Sequence, residues 1–152
     1  MSTFPNLRFS FTIASFGSTA APDIFNSTGD AVVSAIKSAG LGGNWTINPM
    51  SFDFGSANPT YCVVVNGACE MGQSAVATME AVHSQTGFAY GHIEVTLEVP
   101  TDDGGAPFTS SDVNTVCSFA RSNGVAGIHF WSLDRDTGFT YARSIPSACG
   151  TN

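Results

Sequence analysis

The chain has 152 residues, 43% of them hydrophobic and 11% charged, and its formal net charge is −7. This length predicts one domain spanning residues 1–152 with a sizeable core. The acidic balance excludes phosphate backbones as natural partners, so we expect no nucleic-acid binding. Apolar runs stay well short of the roughly 20 residues that cross a bilayer, so we also expect no membrane span.

The first half of the chain predicts two strands with a helix between them. Residues 7–13 alternate apolar and polar side chains, which is typical of a half-buried strand. Residues 27–40 have a helical apolar stripe, and Ser27 or Thr28 is the expected cap. A second strand is predicted over residues 44–54, with a bulge or a free edge at Pro49, because proline has no N–H for a sheet ladder.

The second half predicts two further helices, each followed by a strand. Residues 71–85 predict a helix, and residues 92–100 alternate in the same way as the first strand. A helix capped by Ser110 or Ser111 is expected to end near Gly124, and a last strand follows over residues 126–132. The tail from residue 144 onward has turn character, and we expect no helix in it.

Four cysteines raise the question of disulfides. Cys62 and Cys69 flank an Asn-Gly turn, which predicts a hairpin that brings them close enough to bond, although two free buried thiols are the alternative. The pairing of Cys117 with Cys149 stays open. The histidines show no ligand spacing to the cysteines, so we expect no metal and no cofactor. We expect an extracellular protein, or one secreted by a non-classical route. The non-classical route is included because the sequence shows no signal-peptide pattern.

Strands that alternate with helices predict an α/β fold with a parallel sheet and right-handed crossovers. Parallel strands are normally apolar on both faces, but here two strands and part of a third keep a polar face. We expect that face to meet water, a charged ligand or another chain. Its members are Arg8, Ser10, Thr12, Thr46, Asn48, Glu94, Thr96 and Glu98.

The last predicted strand carries Trp131 at its carboxyl end. Alternation places Ile128 and Phe130 toward the helices, and His129 and Trp131 on the polar face. Ligands gather at the carboxyl ends of parallel strands. An aromatic ring beside carboxylates suits a sugar, because the ring stacks on C–H faces while carboxylates accept from hydroxyls. A ring buried in a barrel or dimer core is the alternative.

Three stretches in order, "INPMSFDFG", "EMGQSAV" and "GIHFWSLDRDTG", resemble the later strands of family-18 glycoside hydrolases, the chitinases. The resemblance covers nearly the whole chain but about half of the family's domain. It implies strands five to eight of a (β/α)8 barrel. Such a half-barrel has two open edges and one uncovered face, so either a second copy of the chain completes it as a homodimer or the polar face is solvated.

The resemblance also implies roles for single residues. Trp131 matches the family tryptophan that floors the subsite where sugar is cut. Met50 and Asp53 match the family's Met-x-Tyr-Asp, in which the aspartate hydrogen-bonds the sugar or its acetamido group. Phe52 stands in place of the tyrosine, so one hydroxyl is missing.

One family motif is absent from the sequence. The D-x-x-D-x-D-x-E run, whose glutamate protonates the leaving oxygen, does not occur. Glu94 and Glu98 lie on the polar face but do not match that glutamate, and an ion pair with Arg8 is the simpler interpretation for a carboxylate there. We therefore assign no catalytic residue.

These observations favour a lectin-like protein that binds a glycan without cleaving it. A fragment or half of a family-18 hydrolase that cleaves N-acetylglucosamine polymers is the alternative, and a structural dimer with a buried tryptophan is a third. The predicted carbohydrate-binding residues are Trp131, Asp53, Met50, Phe52, Glu98, His129, Asn48 and Asp134.

Overall fold

The computed structural model describes residues 7–150 and has the predicted α/β class. Strands and helices alternate along the chain, with a small hairpin between the second strand and the second helix. A 3-10 turn, Tyr90–His92, precedes the third long strand. The elements are β1 (Phe9–Ala14), α1 (Ser27–Ala39), β2 (Trp45–Met50), β3 (Val64–Val65), β4 (Ala68–Cys69), α2 (Met71–Thr86), β5 (Glu94–Glu98), α3 (Ser110–Asn123), β6 (Gly127–Trp131) and α4 (Thr140–Cys149).

The four long strands form one parallel sheet in the order β1-β2-β5-β6. β1 pairs with β2 from Phe9↔Trp45 to Ala14↔Met50. β5 pairs with β6 from Glu94↔Gly127 to Glu98↔Trp131. The carboxyl ends of all four strands therefore lie along one edge of the sheet, where the loops to the following helices begin.

The apolar face of the sheet is the core, as the alternation predicts. Ile13, Ile47, Val95 and Leu97 are buried there with side chains from α2 and α3. α2 packs against α3, and α3 packs against α4. Among residues 7–150 the structure has no helix of the length and apolarity that a membrane crossing requires.

Pro49 departs from expectation, because it lies inside a regular central strand without a bulge or a free edge. It pairs in register with Ile13 on β1 and is buried. On the other side, β2 meets β5 only at Met50↔Thr96 and at an isolated bridge, Ile47↔Ile93. Pro49 lies between these two contacts, at a position where β2 and β5 are not paired. The missing N–H of the proline therefore removes no hydrogen bond from the sheet.

Two predicted helix caps are wrong in detail. Asn26, rather than Ser27 or Thr28, caps α1 by accepting from the N–H groups of Thr28 and Gly29. Thr109, rather than Ser110 or Ser111, caps α3 through a capping box with Asp112. In both cases a side chain one position earlier reaches the first unpaired N–H groups.

The tail is helical, which contradicts the expected turns. α4 begins at Thr140, and the buried Asp136 accepts hydrogen bonds from the N–H groups of Tyr141 (3.1 Å) and Ala142 (2.8 Å). Ile145 is buried against the core. A carboxylate just before the helix and tertiary packing stabilise a helix that its own residues do not indicate.

Two disulfides stabilise the fold. The predicted Cys62–Cys69 bond closes the β3–β4 hairpin. A second bond joins Cys117 on α3 to Cys149 at the end of α4, which resolves the pairing that the sequence left open. Disulfides persist in oxidising compartments, so the two bonds agree with a secreted or extracellular protein.

The polar face of the sheet is less exposed to solvent than expected. On the central strands Thr46, Asn48, Glu94 and Glu98 are buried. Ser10 and Thr12, on the edge strand β1, are exposed. Buried charges require partners, and the two glutamates find them at opposite ends of β5.

Candidate functional site

At the carboxyl edge of the sheet, side chains from the ends of β5 and β6 come together with side chains from the loops that follow β2, β5 and β6. We call Asp53, Glu98, Asp103, Trp131 and Arg135 the carboxyl-end rim. Asp53 lies just beyond β2 and Glu98 ends β5, opposite Trp131 at the end of β6. This is the edge at which parallel α/β folds bind ligands.

Trp131 is exposed at the rim. Its relative exposure is 59%, and it lies on the face opposite Ile128 and Phe130, which pack against the core. Within this chain the ring is therefore not packed beneath the helices. A large exposed ring next to polar groups is a surface on which a ligand face can stack.

Asp53 is held in an unusual backbone conformation. Its φ of 54° is in the left-handed region, which non-glycine residues seldom adopt. Its N–H donates to Asp102 Oδ2 (3.2 Å), and its own Oδ1 accepts from the N–H of Asp103 (2.9 Å). These bonds fix the exposed carboxylate against the loop after β5.

Glu98 is a buried carboxylate with one partner. Its side chain is 2% exposed, and Oε1 forms an ion pair with Arg135. The other oxygen, Oε2, is buried without a hydrogen-bond partner among residues 7–150. Burial raises the pKa of Glu98, the nearby charge of Asp53 raises it further, and the ion pair with Arg135 opposes both.

Arg135 is the cation of the rim. Its guanidinium donates to Glu98, to the carbonyl of Thr101 (2.8 Å) and to Asp103 Oδ1 (3.4 Å). Its side chain remains 30% exposed. Arg135 and Asp103 were absent from the predicted site, although the sequence "DRD" after the last strand carried the signal for Arg135.

Asp134 lies beside the rim on the surface. The hydroxyl of Ser132 donates to its carboxylate, and this bond lowers the pKa of Asp134. The carboxylate is therefore available to accept from a ligand. Met50 and Phe52 are half-buried on the β2 side.

A cleft of about 280 Å³ opens beside Asp53, between the ends of β1 and β2. Met50 and Phe52, two of the residues that the sequence predicts to bind carbohydrate, line it together with Phe16 and Asn26. In the strand order β1-β2-β5-β6, β5 with Glu98 at its end lies between this cleft and the strand of Trp131.

Two predicted site residues lie away from the rim. Asn48 is buried in mid-strand, where its Nδ2 donates to Thr12 Oγ1 (3.4 Å) and its Oδ1 accepts from Thr96 Oγ1 (3.0 Å). His129 lies two residues before Trp131, and its Nε2 is 3.4 Å from Glu94 Oε2. Sheet contacts therefore engage both side chains.

At the other end of β5, Glu94 belongs to what we call the amino-end cluster: Arg8, Ser10, Glu94 and His129. Arg8 forms an ion pair with Glu94, and the hydroxyl of Ser10 donates to it at 2.6 Å. Burial acts to raise the pKa of Glu94, but hydrogen bonds from His129 and Ser10 outweigh it and lower that pKa to about 2. The ion pair with Arg8 is the interpretation that the sequence favoured.

Metal binding has no geometric support in the part of the chain that the structure describes. Over residues 7–150, no group of three or more His, Cys, Asp or Glu side chains is arranged to hold an ion. The rim consists of three carboxylates, one arginine and one aromatic ring.

Solved chitinase structures share this fold. The catalytic domain of a hyperthermophilic chitinase from Pyrococcus furiosus matches with a TM-score of 0.64 and 20% identity over 89% of this chain. Catalytic-site mutants of active domain 2 of the thermostable chitinase from Pyrococcus furiosus, complexed with chito-oligosaccharides, match with a TM-score of 0.65 at the same identity.

The chain spans 42% of the length of these solved structures. At this identity the likeness shows a chitinase-like fold and leaves the activity to other arguments. No protein-family model matches the chain, and no curated protein sequence matches it either.

Proposed function

We propose that the chain binds chitin-type oligosaccharides at the carboxyl-end rim, as half of a glycoside-hydrolase-related barrel. The observation that carries this proposal is Trp131, 59% exposed at the carboxyl edge beside Asp53 and Glu98. The likeness to chitinase catalytic domains supports it, since one of those structures holds chito-oligosaccharides.

Residues at and beside the rim have distinct roles in this proposal. Trp131 stacks on the C–H face of one sugar ring. Asp53 and Asp134 accept hydrogen bonds from sugar hydroxyls. Met50 and Phe52 form an apolar wall of the cleft, on which a neighbouring ring rests.

The chain alone is expected to bind without hydrolysis. A general acid must reach the scissile oxygen with a proton to give. Glu98 is the buried acid nearest the ring, but Arg135 occupies its Oε1 and holds it beneath the surface. The family's D-x-x-D-x-D-x-E run is absent from the chain.

A half-enzyme is the second candidate function, and the comparisons favour it over a free-standing lectin, because the matched structures are catalytic domains. β1 and β6 each have one edge with no strand partner among residues 7–150. A second half-barrel that pairs with both edges would complete the barrel and supply the missing acid. Two copies of this chain as a homodimer would close the barrel but would still lack that acid.

Titration with a chitin tetramer and a chromogenic chitobioside assay test the proposal together. We expect saturable binding, no turnover, and loss of binding in Trp131→Ala. Phe9→Ala is the matched control, because Phe9 is also an exposed aromatic ring, 38% exposed, but lies at the amino end of β1. Turnover by the isolated chain would favour the enzyme, and unchanged binding by Trp131→Ala would place the site elsewhere.

A further inference from the structure

The charges of this protein are segregated between the two ends of the sheet. Ten of its twelve acidic residues lie at the carboxyl end of the sheet: one is the last residue of a strand, and nine lie in the loops after strands or in the first turns of helices. They are Asp23, Asp30, Asp53, Glu70, Glu98, Asp102, Asp103, Asp112, Asp134 and Asp136. Glu80 lies within α2, and Glu94 begins β5.

The cations have a different distribution. Arg8, Lys37 and Arg121 lie at the amino end, before β1 or in the last turns of α1 and α3. Two arginines lie toward the carboxyl end. Arg135 is bound into the rim, and the guanidinium of Arg143 lies over the ring of Phe139.

Helix capping explains part of this acidity. Asp30 lies in the first turn of α1, Glu70 caps α2, Asp112 completes the capping box of α3, and Asp136 binds the first N–H groups of α4. Carboxylates at these positions stabilise helix N-termini. The rim carboxylates cap no helix: Asp53 accepts from the N–H of Asp103, and Glu98 and Asp103 share the single cation Arg135.

Glu98 provides an independent observation. Its side chain is 98% buried, yet its Oε2 has no donor within the described residues. An ionised buried oxygen without a donor is costly, since such groups are normally hydrogen-bonded. Arg135, which is itself 30% exposed, forms the ion pair with the other oxygen of this carboxylate.

We propose that the rim prefers de-N-acetylated amino-sugar oligomers, in which a protonated amine takes the place of the neutral acetamide. An ammonium group donates three hydrogen bonds and suits the exposed carboxylates of Asp53 and Asp103, with the buried charge of Glu98 close to both. Beside Trp131 it also gains a cation–π contact. This inference rests on the proposed function and names the class of sugar that the same site takes.

Calorimetric titration of the full chain with a glucosamine tetramer and with its N-acetylated counterpart tests the inference. At about pH 6, where sugar amines carry charge, we expect the glucosamine tetramer to bind about tenfold more tightly at low salt. Added salt should reduce that difference, because screening weakens exposed charge pairs.

Two variants assign the preference to the rim. Glu98→Gln and Asp103→Asn should each reduce the ratio of the two affinities severalfold. Glu80→Gln is the matched control, because it removes one exposed carboxylate from α2, away from the rim, and should leave the ratio unchanged.

The outcomes separate this inference from the proposed function. Equal affinities, or tighter binding of the acetylated tetramer, would overturn the inference and leave the proposed function in place. Binding of neither tetramer would overturn both. A preference for the amine that survives in both rim variants would overturn its assignment to these carboxylates.

Discussion

Glu94 and Glu98 lie on the same face of the same strand, and each side chain is 2% exposed. At the amino end, Glu94 has Arg8, Ser10 and His129 around it, and its pKa falls to about 2. At the carboxyl end, Glu98 has Arg135 on one oxygen and no donor on the other, and its pKa is raised.

The difference separates a structural carboxylate from one placed for another purpose. A buried carboxylate whose oxygens all accept hydrogen bonds is compatible with a stable fold. A buried carboxylate near other carboxylates, with one oxygen lacking a donor, lowers the free energy of unfolding. Perturbed groups of the second kind cluster at functional sites. The comparison therefore favours the carboxyl end for function and the amino end for stability.

The largest effect should come from Glu94→Gln. The pKa of Glu94 falls from 4.5 to about 2 on folding, so its ionised form contributes about 3 kcal/mol at pH 7. That contribution is fully present above the ordinary pKa and is lost as pH falls through the folded one. Urea denaturation should show the loss at pH 7 and a flatter acid limb in the variant. Equal stability of variant and wild type at neutral pH would refute the structural role.

Trp131→Ala should separate binding from stability. The exposed ring buries little apolar area on folding, so its removal should change the free energy of unfolding by less than about 0.5 kcal/mol. Loss of a stacking ring should weaken oligosaccharide binding by about 2 kcal/mol. Thermal denaturation and calorimetry check the two halves. A loss of several kcal/mol of stability would show that the ring is part of a core.

Sequence patterns were sufficient for the fold because alternation and caps are local signals. The period of two in β1 and β5 predicted which face meets the helices, and the Asn-Gly turn predicted the Cys62–Cys69 bond. Helix α4 was missed because Asp136 and the Cys117–Cys149 bond, which stabilise it, act from outside the helix or across 32 residues of chain.

The site was predictable only in part. The position of Trp131 follows from parity along one strand. The contacts among Asp53, Asp103 and Arg135 arise between loops that are distant in sequence, so no local pattern indicates them. His129 and Asn48 lie on the same face of the sheet as Trp131 but farther from the carboxyl ends of their strands. Alternation along a strand predicts the face on which a side chain lies, but not its distance from the end of the strand.

Arg8→Ala should have a moderate effect. Arg8 is 43% exposed, so solvent screening reduces its ion pair with Glu94 to about 1 kcal/mol or less. A double-mutant cycle with Glu94→Gln measures the coupling directly. Zero coupling would show that Ser10 and His129 alone hold the carboxylate.

Glu98→Gln should have the smallest effect on stability, with the opposite sign. A raised pKa in the folded state means that ionised Glu98 opposes folding, and that this cost appears as pH rises through the folded pKa. The variant should therefore be as stable as the wild type, or more stable by up to about 0.5 kcal/mol at pH 7. Marked destabilisation in urea titrations would make the Arg135 ion pair structural.

The two tryptophans offer the most direct test that the carboxyl-end rim is the sugar site. Trp45 is buried, stacks on His92, and donates its indole N–H to the carbonyl of Leu41, so it serves as an internal reference. In an NMR titration with a chitin-type tetramer, acetylated or not, the indole N–H signal of Trp131 should shift and saturate while that of Trp45 stays in place. A saturable shift elsewhere, with the Trp131 signal unmoved, would contradict the account.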